Sequence, residues 1–142
     1  MNVSDIMTGK VITVGQDEPV MAAVRLLKRH NVGALPVTDQ SGRLRGLVTD
    51  RDIVLRCIAS EDDPAQTPVR DIMTRSCVTV SPNADCREAA RLMSVQQVRR
   101  LPVVESGRVV GMLSLGDLAR CHRFDMEAAR ALSEISENIV RR

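Results

Sequence analysis

The six residues Val3-Ser4-Asp5-Ile6-Met7-Thr8 return 66 positions later as Val69-Arg70-Asp71-Ile72-Met73-Thr74. The correspondence continues along the chain. Thr13-Val14 matches Thr79-Val80, Ala23-x-Arg25-Leu26 matches Ala89-x-Arg91-Leu92, and Val32-x-x-Leu35-Pro36-Val37 matches Val98-x-x-Leu101-Pro102-Val103. After a one-residue deletion near Ser106, Gly42-Arg43-x-x-Gly46 meets Gly107-Arg108-x-x-Gly111 and Asp52 meets Asp117, so that 18 of 52 aligned pairs are identical. Self-similarity at this period means two copies of one supersecondary unit. A unit of about 55 residues buries too little surface to be secure alone, so the copies are expected to pack as a pseudo-twofold pair with a cleft on either side of the joint.

Each copy reads as β-α-β-β-α. A short β-rich run, Val11 to Val14 or Cys77 to Val80, precedes a helix start, where Pro19 suits a first turn and Asp85-x-x-Glu88 has the form of a capping box. Val20, Ala23, Val24 and Leu27 share one helical face, as do Cys86, Ala89, Ala90 and Met93 in the second copy. Two strands follow around a turn: Leu35 to Thr38 and Leu44 to Val48 flank Asp39-Gln40-Ser41-Gly42, and Leu101 to Val104 and Val109 to Leu113 flank Glu105-Ser106-Gly107. A short helix closes each copy, Asp50 to about Cys57 and Leu115 to Cys121. The fold class is thus α/β of the α+β kind. Its expected organisation is a first repeat at 1–60, a polar proline-bearing linker at 61–68, a second repeat at 69–122 and a terminal amphipathic helix at 123–142. In that helix Phe124, Ala128, Ala131, Leu132, Ile135 and Ile139 recur at helical spacing, with Glu127, Arg130, Glu134, Glu137 and Arg141 elsewhere, so it either docks back on the repeats or forms a dimer or partner contact.

Composition narrows the function. A net charge of +2 with interspersed signs gives no broad basic field, and with one Phe, no Trp and no Tyr there are no stacking platforms for single strands, which argues against nucleic acid. No apolar run reaches membrane length, and the first residues lack the pattern of a signal peptide, so a cytoplasmic location is expected. Cys57, Cys77, Cys86 and Cys121 form no C-x-x-C pair, and only His30 and His122 could complete a zinc site. The thiols are therefore read as small core residues and no metal is expected. With no P-loop, no dinucleotide fingerprint and few histidines, an enzyme is not expected.

The doubled V-x-D-I-M-T, the doubled L-P-V and the doubled G-x-x-T/S-x-x-D, at Gly46-x-x-Thr49-x-x-Asp52 and Gly111-x-x-Ser114-x-x-Asp117, make residues 3–121 closely resemble the CBS domain family. Two such repeats form the tandem pair often called a Bateman module, here of the stand-alone bacterial or archaeal kind. The resemblance implies binding of AMP, ADP, ATP or a related adenosine compound in the clefts, with NAD, S-adenosylmethionine or a cyclic dinucleotide as further candidates. It also implies a homodimer and regulation of an unknown protein target in trans, with no required cofactor.

The residues admit two readings. Where a strand runs into a helix, Thr49 or Ser114 can offer a hydroxyl and first-turn amides to a phosphate, and Asp52 or Asp117 can accept from ribose hydroxyls, with Gly46 or Gly111 permitting close backbone approach. The same T-x-x-D and S-x-x-D are also helix capping boxes. The family supplies an adenine slot from segments matching Val11, Ile12, Thr13, Ala34, Leu35 and Pro36 in the first copy, and Cys77, Val78, Thr79, Arg100, Leu101 and Pro102 in the second. Ordinary core packing is the alternative for these residues. The copies differ where Gly33-Ala34 becomes Arg99-Arg100, a phosphate-reaching pair or a solvated one, and where Thr49-Asp50-Arg51-Asp52 becomes Ser114-Leu115-Gly116-Asp117, which leaves Arg51 as a phosphate candidate in the first copy alone. The competing function is a structural dimerisation or interaction protein whose signatures serve only as caps.

Overall fold

The computed structural model describes residues 1–121 and 124–140. In chain order the elements are the single turn α1 (Val3–Ile6), β1 (Val14–Gly15), α2 (Val20–His30), β2 (Ala34–Thr38), β3 (Leu44–Thr49) and α3 (Asp50–Asp52), which continues as a π-helix over Ile53–Ile58. A 3-10 turn at Val69–Asp71 precedes α4 (Cys86–Gln96), β4 (Arg100–Glu105), β5 (Arg108–Ser114), α5 (Leu115–Arg120) and α6 (Asp125–Val140). The β-α-β-β-α order and the terminal helix are as expected. The opening β runs are much shorter: only Val14–Gly15 pairs as a strand, parallel to Val37–Thr38, and Val80 alone bridges Val103. The closing element of the first repeat is largely a π-helix.

The chain divides into two compact units that cut across the repeat boundaries. A first lobe comprises Ile12–Cys77, and a second comprises Met1–Val11 with Val78–Arg142. Each V-x-D-I-M-T segment therefore belongs to the lobe built from the other copy's strands and helices. The register of this exchange is the same twice. Val3 N–H donates to Ala84 O at 2.9 Å and Val69 N–H to Glu18 O at 2.9 Å, while Ser4 N–H reaches Pro82 O at 3.0 Å and Arg70 N–H reaches Gln16 O at 2.9 Å. At the segment's far end Thr8 and Met112 exchange two backbone hydrogen bonds of 2.9 and 3.0 Å, and Thr74 and Leu47 exchange two of 2.8 and 2.9 Å. The exchanged segment thus adds a rung to the outer edge of β5 or β3, satisfying polar groups that an edge strand would otherwise present to water.

Within each lobe the strand hairpin is antiparallel, Leu35 opposite Val48 and Leu101 opposite Leu113, with a register shift at Val37/Thr38 and again at Val103/Val104. The turns follow their chemistry. Asp39 Oδ1 accepts from Ser41 and Arg43 N–H at 2.9 and 3.0 Å, and Gly42 and Gly107 both stand at φ 80°. The long helices end alike, on left-handed Asn31 and Gln97. Their starts differ: Pro19 flanks α2 at its N-cap, and Asp85 accepts from Arg87 N–H at 2.8 Å without the reciprocal Glu88 bond that a capping box requires.

Cys86, Ala89, Ala90 and Met93 are all buried, whereas of the matching face in α2 Val20 and Ala23 are buried and Val24 and Leu27 half-buried. One cause is α6, which packs on α4 and α5 in the second lobe; its Ala128 and Ala131, with Phe124 just before it, join that lobe's core, and Ile135 is buried as well. The terminal helix therefore docks back on the second repeat. Leu132 stays 46% exposed, and the Ile139 side chain, Arg141 and His122 lie outside the described residues. No helix among the described residues is long and apolar enough to cross a membrane.

Cys57 and Cys86 are buried, Cys77 and Cys121 half-buried, and all four are free thiols. Desolvation pushes the Cys57, Cys77 and Cys86 thiols up; the Asp62 carboxylate adds to this at Cys57, and at Cys86 the chain's amino terminus partly opposes it. The native state thus disfavours thiolate. The stability tied to these groups is complete below the unfolded thiol pKa of about 8.5 and is lost as pH rises through the higher native values. Native protein at pH 8 is expected to leave Cys57 and Cys86 unmodified by a maleimide over minutes, with all four thiols reacting once denatured, as read by peptide mass mapping.

Candidate functional site

In both lobes the hairpin register brings the residues before L-P-V beside the G-x-x-T/S-x-x-D corner. Ala34 pairs with Thr49 and Asp50 N–H donates to Gly33 O at 3.1 Å; Arg100 pairs with Ser114 and Leu115 N–H donates to Arg99 O at 2.8 Å. This places Ala34, Thr49 and Asp52 together in the first lobe, and Arg99, Arg100, Ser114 and Asp117 together in the second.

Both corners are complete capping boxes. Thr49 Oγ1 accepts from Asp52 N–H at 3.0 Å and Asp52 Oδ2 accepts from Thr49 N–H at 3.1 Å. Ser114 Oγ accepts from Asp117 N–H at 3.1 Å and Asp117 Oδ2 accepts from Ser114 N–H at 2.8 Å. One carboxylate oxygen of each acid is thereby committed to the backbone, and the other faces a cation. Arg56 Nε stands 3.8 Å from Asp52 Oδ1, and Arg120 pairs closely with Asp117 Oδ1. Asp52 is the one charged side chain among the described buried residues, at 9% exposure. Thr74, from the exchanged segment, directs its hydroxyl at both Asp52 oxygens at 3.5 Å.

The sequence did not single out Thr74, Arg56 or Arg120. The i, i+4 and i, i+3 acid-base spacings of Asp52-Arg56 and Asp117-Arg120 were the available signal for the arginines. Thr74 carried none, because its place depends on the exchange of segments.

The remaining candidates fall elsewhere. Gly46 and Gly111 are buried beneath the exchanged segments: a Cβ on Gly46 would stand 2.4 Å from Thr74 O, and one on Gly111 2.5 Å from Met7 Sδ and 3.0 Å from Thr8 O. The close approach that these glycines permit is thus made by the protein's own chain. Pro36 and Pro102 are buried within β2 and β4, and Pro102 O accepts from Val80 N–H at 3.1 Å. Ile12 and Val78 pack half-buried against the cores of their lobes, Thr13 and Thr79 are exposed, and the boundary between the lobes falls between Val11 and Ile12 and between Cys77 and Val78. Arg51 is exposed.

The second lobe holds a cavity of about 710 Å³ at its corner. Arg99, Arg100, Ser114, Leu115, Gly116 and Ala119 line one side, and Asp125, Ala128, Ala129 and Leu132 of α6 line the other. Its volume lies within the range usual for small-molecule sites, about 300–1,000 Å³, and it joins cationic and hydroxyl groups to a largely aliphatic wall that also carries the Asp125 carboxylate. Among the described residues no group of three or more His, Cys, Asp or Glu is placed to hold a metal ion.

Two β-α-β-β-α repeats, each with a hydroxyl and carboxylate locked at its strand-to-helix corner, define a tandem-repeat module of the CBS type. The CBS domain profile matches residues 3–58 and 69–122, and the chain belongs to the CBS domain family. Over 139 residues, 98% of each chain, it is 44% identical to the CBS domain-containing protein YhcV of Bacillus subtilis strain 168. Several solved structures share the fold. Hypoxic Response Protein I with two coordinated zinc ions aligns at TM-score 0.78 and 36% identity over 84% of this chain and 98% of that one. The CBS domain pair of MJ0100 in complex with 5-methylthioadenosine and S-adenosyl-L-methionine aligns at 0.76 and 30% over 86% and 99%. CBSX2 in complex with AMP aligns at 0.73 and 32% over 86% and 96%.

Proposed function

We propose that this chain is a non-catalytic module that binds an adenosine compound, AMP, ADP or ATP before NAD, S-adenosylmethionine or a cyclic dinucleotide, and regulates a protein partner in trans, most simply as a homodimer. The observation that carries this reading is the second-lobe cavity, where Arg99, Arg100 and the Ser114 hydroxyl meet an aliphatic wall in a space of nucleotide size. Guanidinium groups suit phosphate oxygens, and with no Trp or Tyr in the chain the base would lie against aliphatic side chains. The adenosine compounds held by the MJ0100 pair and by CBSX2 support the same class of ligand. In the first lobe Thr49, Asp52 and Arg51 would serve the corresponding roles.

Thermal melts followed by a dye or by circular dichroism, against a panel of these compounds, test the reading. Ligand at about a hundred times its dissociation constant adds roughly 2.7 kcal/mol to the native state, a rise of several degrees for a chain of this size. One adenosine compound is expected to give that rise, and replacing both Asp52 and Asp117 by Ala is expected to remove it. Flat melts across the panel, on folded protein free of co-purified nucleotide, would overturn it.

The completeness of both capping boxes favours a second reading, a structural dimerisation or interaction protein with no physiological nucleotide. There the hydroxyls and carboxylates serve only the helix starts. On that reading the Asp52 and Asp117 variants lose stability and have no ligand response to lose.

A further inference from the structure

We propose that α6 is a ligand-sensing wall of the second-lobe cavity, so that occupancy of the cavity is reported as tighter docking of this helix; the proposal rests on the adenosine-binding reading above. The apolar surface of α6 is divided. Ala131 and Ile135 are buried, Ala128 is buried yet reaches the cavity lining, and Ala129 and Leu132 line the cavity as exposed side chains, Leu132 at 46%. A ligand seated between Arg99 and Leu132 would therefore cover apolar surface that the protein itself leaves open.

Two lining positions carry smaller side chains than their counterparts in the first copy. Arg51 and Val54 of the first repeat correspond to Gly116 and Ala119 of the second, and both reduced positions line the cavity. In the first lobe Val54 and Leu55 project as exposed apolar side chains, with no counterpart of α6 in that repeat. The second repeat thus combines small residues at 116 and 119, an arginine pair at 99 and 100, and a helix laid across them. Because the ligand would touch both the corner and α6, binding and docking are coupled reciprocally, typically by about 5- to 150-fold in affinity.

Hydrogen exchange by mass spectrometry on the full chain, with AMP, ATP and S-adenosylmethionine tested separately at saturating concentration, examines this directly. The compound that raises the melting temperature is expected to slow exchange of the amides of 125–140 at least about fivefold. Ala129→Trp, which fills the cavity from α6, and Ala119→Phe, which fills it from the corner helix, are each expected to weaken binding at least about tenfold with the ligand-free melt unchanged. Met126→Ala, at a position 84% exposed and away from the cavity lining, is expected to bind as the parent does. If Ala129→Trp lowers the ligand-free melt, Leu132→Gln takes its place. Ligand binding that leaves α6 exchange unchanged would overturn the sensing role while leaving the adenosine-binding reading intact, whereas normal binding by the cavity variants would overturn the sensing role and also remove this cavity as the adenosine site. Failure of every compound to bind the parent chain would overturn both.

Discussion

Deleting residues 1–9 is expected to unfold the lobe that contains the second repeat while leaving the first repeat's own lobe folded. The deleted segment lies outside the compact unit at Ile12–Cys77. In the second lobe it buries Val3 completely, packs Ile6 and Met7 against the core, and forms five backbone hydrogen bonds through Met1 O, Val3 N–H, Ser4 N–H and both groups of Thr8. Full burial of a side chain such as Val3 contributes about 1.5–3 kcal/mol, and each hydrogen bond a net of about 1 kcal/mol. The loss is therefore on the order of 5 kcal/mol or more, comparable with the whole stability of a small lobe. Hydrogen exchange on the truncated chain checks it: protection should vanish from α4 and β5 and persist in β2 and β3. The reverse pattern would show that the opening segment serves its own repeat. Val3→Asp should produce a milder form of the same polarity by burying an unpaired charge at a fully enclosed site.

The two signature glycines are expected to differ sharply in their tolerance of one methyl group. At Gly46 the added Cβ meets the backbone oxygen of Thr74 at 2.4 Å, and that oxygen accepts the Leu47 amide, so relief requires moving the exchanged segment and breaking its rung on β3. Gly46→Ala should cost about 3 kcal/mol, the upper part of the usual range for overpacking, and lower Tm by roughly 10 °C. At Gly111 the nearest atom is Met7 Sδ at 2.5 Å, the end of a flexible side chain, with Thr8 O farther off at 3.0 Å. Gly111→Ala should cost about 1 kcal/mol once Met7 turns aside. Differential scanning calorimetry of the two variants decides it, and equal losses would count against this account of the glycines.

The repeats, the hairpins, their turns and both capping boxes were legible because each is written in local sequence. Examples are Asp39 two residues before Ser41, Gly42 and Gly107 at positive φ, and Thr49 or Ser114 three residues before its acid. Three things were not legible. Val11 to Thr13 and Cys77 to Thr79 have strand composition but find few partners, since pairing depends on tertiary placement. The π-helix at Ile53–Ile58 has no signature distinct from an α-helical one. Membership of the opening motifs was hidden because a repeat boundary in sequence says nothing about which copy a segment packs against. The same gap hid Thr74 from the candidate site and gave Gly46 and Gly111 a ligand-facing role that their burial under Thr74 and Thr8 does not support. The α6 wall of the cavity was half visible: the helix and its docking face were read, but not that Leu132 and Ala129 would look into open space.

The exchange of opening segments also sets an order of events during synthesis. During synthesis residues 1–11 leave the ribosome before either lobe is made, yet their hydrogen-bond partners at 82, 84, 86 and 112 emerge about eighty to one hundred residues later. The lobe at Ile12–Cys77 holds all of its own parts and is complete as soon as Cys77 clears the exit tunnel. Domains generally fold as units while the rest is still being made, at about 5–20 residues per second. Residues 1–11 are therefore made before the first lobe and find their place after it, and for several seconds Val3, Ile6 and Met7 wait as an exposed apolar strip tethered to an already folded neighbour.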